Sequence, residues 1–338
     1  WYDDNTPGTF SGPGLSPRNR PSVSWLQGIF FQDEWSRSDR FSLLSGLRFD
    51  HHNWHGVVWS PRIGLKYRPS PDHTLRFSSG NGFRVVNLFA EDHAALSGAR
   101  QVIVAGNLRP ERSWNANLNY NTQIDLPAGY LTADAGLFYT RFLNKIIGDF
   151  LSRPDAILYN NLDGYAVSRG AALSLGFTLG QNWKINAGGT WLDVFSRRVS
   201  VDRQQREPIL FVPAFSGTFQ ISHTLDRLRL VTDFSGTVYS PMHLPVVPFD
   251  FRPSRSPWFS LLNIQVTRRL KGRTEIFSGV KNLLNFIPRH PILRPFDPFD
   301  RRTAEDNPNG YVFDPSYSYA PLQGIRFFAG IRWNLPRS

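Results

Sequence analysis

The chain has 338 residues, 38 Lys and Arg against 27 Asp and Glu for a formal net charge of +11, no cysteine and a single methionine, Met242. Without cysteine there is no disulfide framework and no thiolate metal site, and 41% hydrophobic residues with 14% aromatics, 27 Gly and 25 Pro point away from disorder and towards strands and turns. No run approaches the ~20 apolar residues of a spanning helix, and the N-terminal stretch has neither the basic start nor the apolar core of a secretory leader; Trp1 in place of Met reads as a processed product or a fragment of a longer one.

Period-two alternation recurs along the chain in segments of roughly ten residues, beginning near Trp25, Phe41, Val58, Thr74, Trp114, Tyr130, Ala171, Trp183, Phe215, Leu228, Trp258, Thr274 and Ile325, about thirteen strands in all. From Trp114 to Ile124, one face carries Trp114, Ala116, Leu118, Tyr120 and Ile124 and the other Asn115, Asn117, Asn119, Asn121 and Gln123. Successive side chains of a strand point to opposite faces, so this is an apolar surface backed by an amide ladder. The last segment repeats it, with Phe328 as an intruder among the polar positions.

Short turns with Gly, Pro, Asn, Asp or Ser chemistry fall at 37–40, 69–72, 127–129, 180–182, 225–227 and 271–273. Longer connections over 51–57, 85–111, 150–164, 196–212, 240–257 and 283–322 alternate with them, which places all long loops at one end. A soluble sheet, as in an adhesin, needs a second apolar layer, and no amphipathic helix of useful length supplies it. The pattern therefore predicts an all-β, transmembrane antiparallel β-barrel with short turns at one rim and long loops at the other.

Several strings then resemble the C-terminal barrel part of TonB-dependent outer-membrane receptors, in a Bacteroidetes-like form. Ile29-Phe30-Phe31-Gln32-Asp33-Glu34-Trp35 is similar to "YxQDxW", Leu44-Ser45-Gly46-Leu47-Arg48-Phe49-Asp50 to "GxRxD", and Ser60-Pro61-Arg62 to "SPR". Gly80-Asn81-Gly82-Phe83-Arg84 resembles "GxGFR", Leu108-Arg109-Pro110-Glu111-Arg112-Ser113 "LxPExS", and Val280-Lys281-Asn282-Leu283-Leu284-Asn285 "VxNLxN". The resemblance implies a 22-stranded barrel plugged by an N-terminal domain, of which this chain supplies the last thirteen strands without the plug. Residues 1–23 are then an outer loop, 24–335 barrel, and 336–338 an overhang beyond an insertion signal at Gly330, Trp333 and Leu335. Since an open sheet edge is not tolerated in lipid, the plug and remaining strands are expected in another chain or another part of the protein.

Candidate sites lie at the mouth. His51, His52 and His55 are close enough in sequence for a metal or metal chelate, and Met242 beside His243 suits a soft metal; solvated loop histidines are the competing reading. Asn87 and Gly98 frame a short helix carrying Glu91, Asp92 and His93, which face a ligand or merely solvate the helix. Arg84 ends a strand at the mouth, with pairing to a lumenal carboxylate as its alternative role, and Tyr311, Tyr317 and Tyr319 either stack on a ligand or pack the loop. Arg48, Arg326 and Arg332 are expected on the lumenal face, paired with Asp50, Asp134 and Asp233.

The basic residues are scattered rather than gathered in a stripe, so no nucleic-acid partner is expected. Nor is a cofactor or an enzyme: there is no phosphate loop, nucleophile elbow or carboxylate pair at catalytic spacing. The resemblance implies TonB-dependent import of a siderophore, vitamin or metal complex, with the plug, TonB, outer-membrane lipids or lipopolysaccharide and a possible surface lipoprotein as partners. A glycan or peptide importer paired with such a lipoprotein, and a passive porin-like barrel, are the alternatives.

Overall fold

A computed structural model describes residues 10–11, 24–85, 101–104, 108–149, 156–199, 204–246, 250–270, 274–298, 307, 310–311 and 313–333. Thirteen strands follow one another in an antiparallel sheet in chain order: Leu26–Ser38, Phe41–His52, Gly56–Ser70, His73–Arg84, Glu111–Leu126, Gly129–Leu143, Gly164–Leu179, Trp183–Val199, Phe215–Leu225, Leu230–Tyr239, Phe259–Arg269, Thr274–Lys281 and Arg326–Trp333. Each expected strand is present. A further short strand, Gln204–Pro208, extends the outer end by pairing with Trp183–Val199.

The register explains why one face is continuously apolar. Leu43 pairs with Leu65, Leu65 with Phe77, Phe77 with Leu118, Leu118 with Leu137, Leu137 with Ala171, Ala171 with Trp191 and Trp191 with Phe215. Directly paired residues share a face, so these side chains form one row across neighbouring strands. The adjacent row, on the opposite face, runs Ser42, Lys66, Arg76, Asn119, Gly136. A one-residue slip at any strand would exchange the two faces, which is why the alternation fixes the register so firmly.

The large apolar side chains of this sheet are exposed rather than buried: Trp59, Leu137, Trp191, Phe327 and Ile331 all stand on the outward face. Aromatic belts bound it. Trp183 and Trp191 lie on one strand eight residues apart, about 26 Å along the strand at ~3.3 Å per residue, and the outer belt continues through ring contacts Trp114–Tyr139, Trp191–Phe215 and Phe215–Trp258.

Register also resolves Phe328. It pairs with Gly279 and shares the inner face with Phe277, which pairs with Gly330. Each phenyl ring lies over the opposing glycine: a Cβ on Gly279 would sit 2.6 Å from Phe328 Cζ, and one on Gly330 2.5 Å from Phe277 Cζ. The intruder thus fills space that the glycines leave open. Lys281 and Arg332 cover the two rings from either side.

The short turns come out as expected where they are described; 271–273 and 334–338 lie outside the described residues. One connection differs. Across 51–57 the two strands continue past the predicted boundary to His52 and from Gly56, leaving a three-residue turn, Asn53–His55. At the same end, the longer connections contribute a second sheet in which Gln101–Val104 runs parallel to both Phe10–Ser11 and Ala156–Asn161, and the latter is antiparallel to Ile146–Asp149. A buried apolar cluster, Met242, Leu244, Phe259 and Tyr317, also sits there.

Gly279→Val drives a side chain into Ile264 O, which a Cβ would meet at 2.4 Å, and into Phe328; overpacking of this kind costs about 2 kcal/mol. We expect a lower denaturation midpoint in heat-modified gel migration, whereas Gly64→Ala, whose Cβ meets Leu44 Cβ at an ordinary 3.6 Å, leaves it near wild type.

Candidate functional site

The mouth is built where His73–Arg84 ends and Glu111–Leu126 begins. Arg84 pairs in register with Glu111, and its Nη2 and Nε donate to Glu111 Oε2 at 2.7 and 3.0 Å. Glu111 is buried, and its other oxygen accepts the Ile146 N–H at 2.8 Å. One carboxylate therefore ties the end of the wall to the first residue of a loop strand. Burial pushes the nearby Lys145 ammonium pKa down, and Arg84 adds to this while Glu111 opposes it. Asn161 closes the arrangement: its Oδ1 accepts from Arg109 N, and its Nδ2 donates to Arg109 O and Asn144 O. Arg84 thus has the carboxylate partner that its alternative role called for, while its guanidinium stays more than half exposed.

The three histidines do not converge. His51 and His52 are neighbours in a strand, so the pleat sends them to opposite faces; His51 is exposed and His52 buried. His52 Nδ1 accepts the Trp54 N–H at 3.2 Å, which leaves Nε2 to donate to Ser24 Oγ at 2.9 Å, and its ring stacks on His55 at 4.7 Å. Both its nitrogens are used, one in its own turn and one by the residue that leads into Leu26–Ser38. Burial, and then His52, push the His55 pKa down.

Met242 and His243 are separated in the same way. Met242 is buried in the apolar cluster, and His243 Nε2 accepts from Arg255 Nη2 at 3.0 Å. That contact requires a neutral imidazole, in keeping with burial and then Arg255 lowering its pKa. Among the described residues no group of three His, Asp or Glu side chains is placed to hold a metal ion.

The tyrosines of the last connection divide between packing and lining. Tyr317 is buried, donates its hydroxyl to Pro253 O at 2.6 Å and carries the Arg252 guanidinium over its ring at 4.3 Å. Tyr319 packs on Phe259 and Phe286. Burial raises both phenol pKa values, further protecting their neutral forms. Arg252 is enclosed: it bonds both oxygens of Asp250, at 2.7 Å to the nearer, and Asp314 at 3.2 Å. Burial alone would lower its pKa, but the two carboxylates outweigh it and the net shift is upward.

Tyr311 instead lines a cavity of about 700 Å³ with Phe251, His290, Arg294, Phe296 and neighbouring residues. Phe251 and Phe296 expose their rings there, Phe251 meets His290 edge-on at 5.2 Å, and Arg294 lies 5.4 Å from the Phe296 ring. Glu91, Asp92 and His93, with the expected helix 87–98, lie outside the described residues.

The polar side of the sheet encloses a second hollow of about 770 Å³, lined by residues such as Asn121, Asp134, Asn186, Gln220 and Asn263. Of the expected lumenal pairs only Arg48–Asp50 forms, with two bonds of 2.7 Å. Arg332 pairs with Glu275, its cross-strand partner; Arg326 reaches Gln323; Asp134 takes Asn121 and Asp233 takes Ser222. Arg332, Asp134 and Asp233 settle with residues opposite in register, and Arg48 and Arg326 with near neighbours in sequence.

Sequence reasoning missed how the string at 280–285 works. Asn282 and Asn285 both have left-handed backbones, φ 53° and 52°, a conformation asparagine tolerates. Asn282 Nδ2 donates to Phe286 O and Gln323 O, and Asn285 Oδ1 accepts from Ile325 N, so the two amides clasp both ends of the longest connection.

A family model described as "TonB dependent receptor-like, beta-barrel" matches residues 1–283. The chain belongs to the TonB-dependent receptor family. It is part of a bacterial outer-membrane receptor barrel, not an enzyme. The iron-regulated outer membrane virulence protein of Vibrio cholerae is 33% identical over 136 residues, 39% of this chain and 20% of that protein. The ferric enterobactin receptor of Pseudomonas aeruginosa is 29% identical over 154 residues, 42% and 21% respectively. A crystal structure of a variant of the latter with enterobactin superposes with TM-score 0.66 at 19% identity, covering 97% of this chain and 48% of that one. The chain thus spans about half the length of that solved receptor.

Arg252→Met leaves Asp250 and Asp314 buried without their cation, a loss of roughly 3–5 kcal/mol for a broken buried pair. Limited proteolysis of the complete receptor should then show new cleavage within 240–322 while the barrel still resists; an unchanged digest would mean the triad does not hold the mouth together.

Proposed function

We propose that this barrel takes part in importing a ferric siderophore through the outer membrane, in a step driven through TonB and a plug domain. The observation that carries this reading is the aromatic cavity beside Arg294, formed by connections that all emerge at the end where the family binds its cargo. A siderophore's aromatic or amide groups suit the exposed rings of Phe251 and Phe296 and the lining Tyr311, while buried Arg294, paired with Asp297, holds the Phe296 ring in place. The similarity to ferric enterobactin receptors supports the same class of ligand. Arg84, held open by Glu111, is a second proposed contact, and Glu91, Asp92 and His93 are proposed on the connection that follows it.

The partners follow from the sheet. Leu26–Ser38 and Arg326–Trp333 each have one paired edge and one edge without a strand among the described residues, and lipid cannot satisfy such an edge. We therefore place further strands there, with the plug against the polar hollow. Residues 24–335 are proposed as barrel and 1–23 as an outer loop.

Uptake of iron-55 as a ferric catecholate complex tests the reading, using cells that carry the complete receptor with and without TonB. Uptake should fall to background without TonB, and Phe251→Ala with Tyr311→Ala should weaken binding about tenfold, as loss of aromatic anchors does. Uptake that ignores TonB would indicate a passive barrel; binding untouched by the double substitution would move the ligand elsewhere.

A further inference from the structure

On the outward face, just beyond the outer aromatic belt, five arginines come together on neighbouring strands: Arg112, Arg141, Arg169, Arg197 and Arg206. Their common face follows from the register. Arg112 and Arg141 lie two residues beyond Trp114 and Tyr139, Arg169 pairs with Asp193, and Arg197 pairs with Arg206. Asp193, two residues beyond Trp191, is the carboxylate of the patch among the described residues: it accepts from Arg169 Nε at 3.0 Å and from Arg206. Positive charge is therefore in excess.

The patch is built rather than scattered. Buried Phe195 has three guanidinium groups over its ring, Arg206 at 4.2 Å, Arg197 at 5.9 Å and Arg169 at 6.0 Å, and Arg141 lies 4.2 Å over Tyr165. Stacking fixes the planar groups while leaving their N–H edges available. Arg112 and Arg141 have no carboxylate partner among the described residues, and both are exposed. The feature does not run round the whole wall. On the side towards Leu26–Ser38 the outward positions at that end carry Phe83, Val57, His51 and Gln27, with no Lys or Arg.

We propose that this sector binds the phosphate groups of an outer-leaflet glycolipid, lipid A, and so carries a bound lipid on one side of the barrel. Three observations select that occupant. The apolar wall below the belt accepts acyl chains; the belt marks the boundary at which headgroups begin; and guanidinium forks match phosphate oxygens with paired hydrogen bonds. The inference rests on family membership and on the long connections facing outward, and is independent of which cargo is imported.

The test is native mass spectrometry of the complete receptor in detergent, titrated with bisphosphorylated lipid A, dephosphorylated lipid A, phosphatidylglycerol or inorganic phosphate. Wild type should bind bisphosphorylated lipid A at least tenfold more tightly than the dephosphorylated form. The Arg112→Gln/Arg141→Gln/Arg206→Gln variant should lose that preference, with each single substitution losing part of it. Heat-modifiable migration checks that the variants are folded. Equal binding by folded triple variant and wild type, or equal binding of the dephosphorylated lipid, would overturn the proposal. Preference for phosphatidylglycerol would reverse the assumed orientation, and displacement of lipid A by millimolar phosphate would reduce the site to one for a free anion; either result also rejects it. Iron uptake that stays normal in the triple variant would separate this site from the import pathway.

Discussion

A peptide N–H or C=O inside hydrocarbon has no water to bond, and the rest of this structure depends on that constraint. It requires every strand in the membrane to be paired on both sides, and the eleven inner strands of the thirteen meet it by pairing in chain order. Once pairing is set, the pleat leaves each residue only two directions. Most leucine and tryptophan side chains take the lipid side and most asparagines the lumenal side, with Phe277 and Phe328 set inward over glycines, so composition follows from backbone geometry rather than from a buried core. The same constraint bears hardest on Leu26–Ser38 and Arg326–Trp333, each paired on one side only among the described residues.

The mouth obeys a different rule. Its connections lie outside hydrocarbon and are held by polar side chains: Glu111 accepts from Ile146 N, Asn161 from Arg109 N, Asn282 donates to Phe286 O and Gln323 O, and buried Arg252 sits between two aspartates. Each links segments far apart in sequence. A loop fixed in this way can present Phe251 and Tyr311 in a defined geometry, which lowers the ordering cost of binding.

The wall was legible in the sequence because its signal is local: two residues apart means the same face, and all thirteen segments could be read on that basis. Boundaries were less legible at His52 and Gly56, where strands continue beyond the membrane and no apolar pattern marks the extension. The second sheet was missed for another reason. Gln101–Val104 pairs in parallel with Ala156–Asn161, two short segments joined across more than fifty residues with no hairpin turn to announce them. His51, His52 and His55, and Met242 with His243, stood close in sequence as metal candidates, but the pleat sends His51 and His52 to opposite faces, and Met242 is buried while His243 bonds Arg255. Glu111 and Asn282 stood within recognised strings, but their roles as clasps depend on partners that only the fold brings near.

The central claim is that one face of this sheet meets lipid and the other a polar interior, residue by residue. Spin labels placed singly from Ile185 to Trp191 in the complete receptor, reconstituted in bilayers, measure this through collisions with oxygen and with a water-soluble nickel complex. Oxygen access should peak at 185, 187, 189 and 191 and nickel access at 186, 188 and 190. A profile without that period of two, or one in which the even positions favour oxygen, would contradict the account.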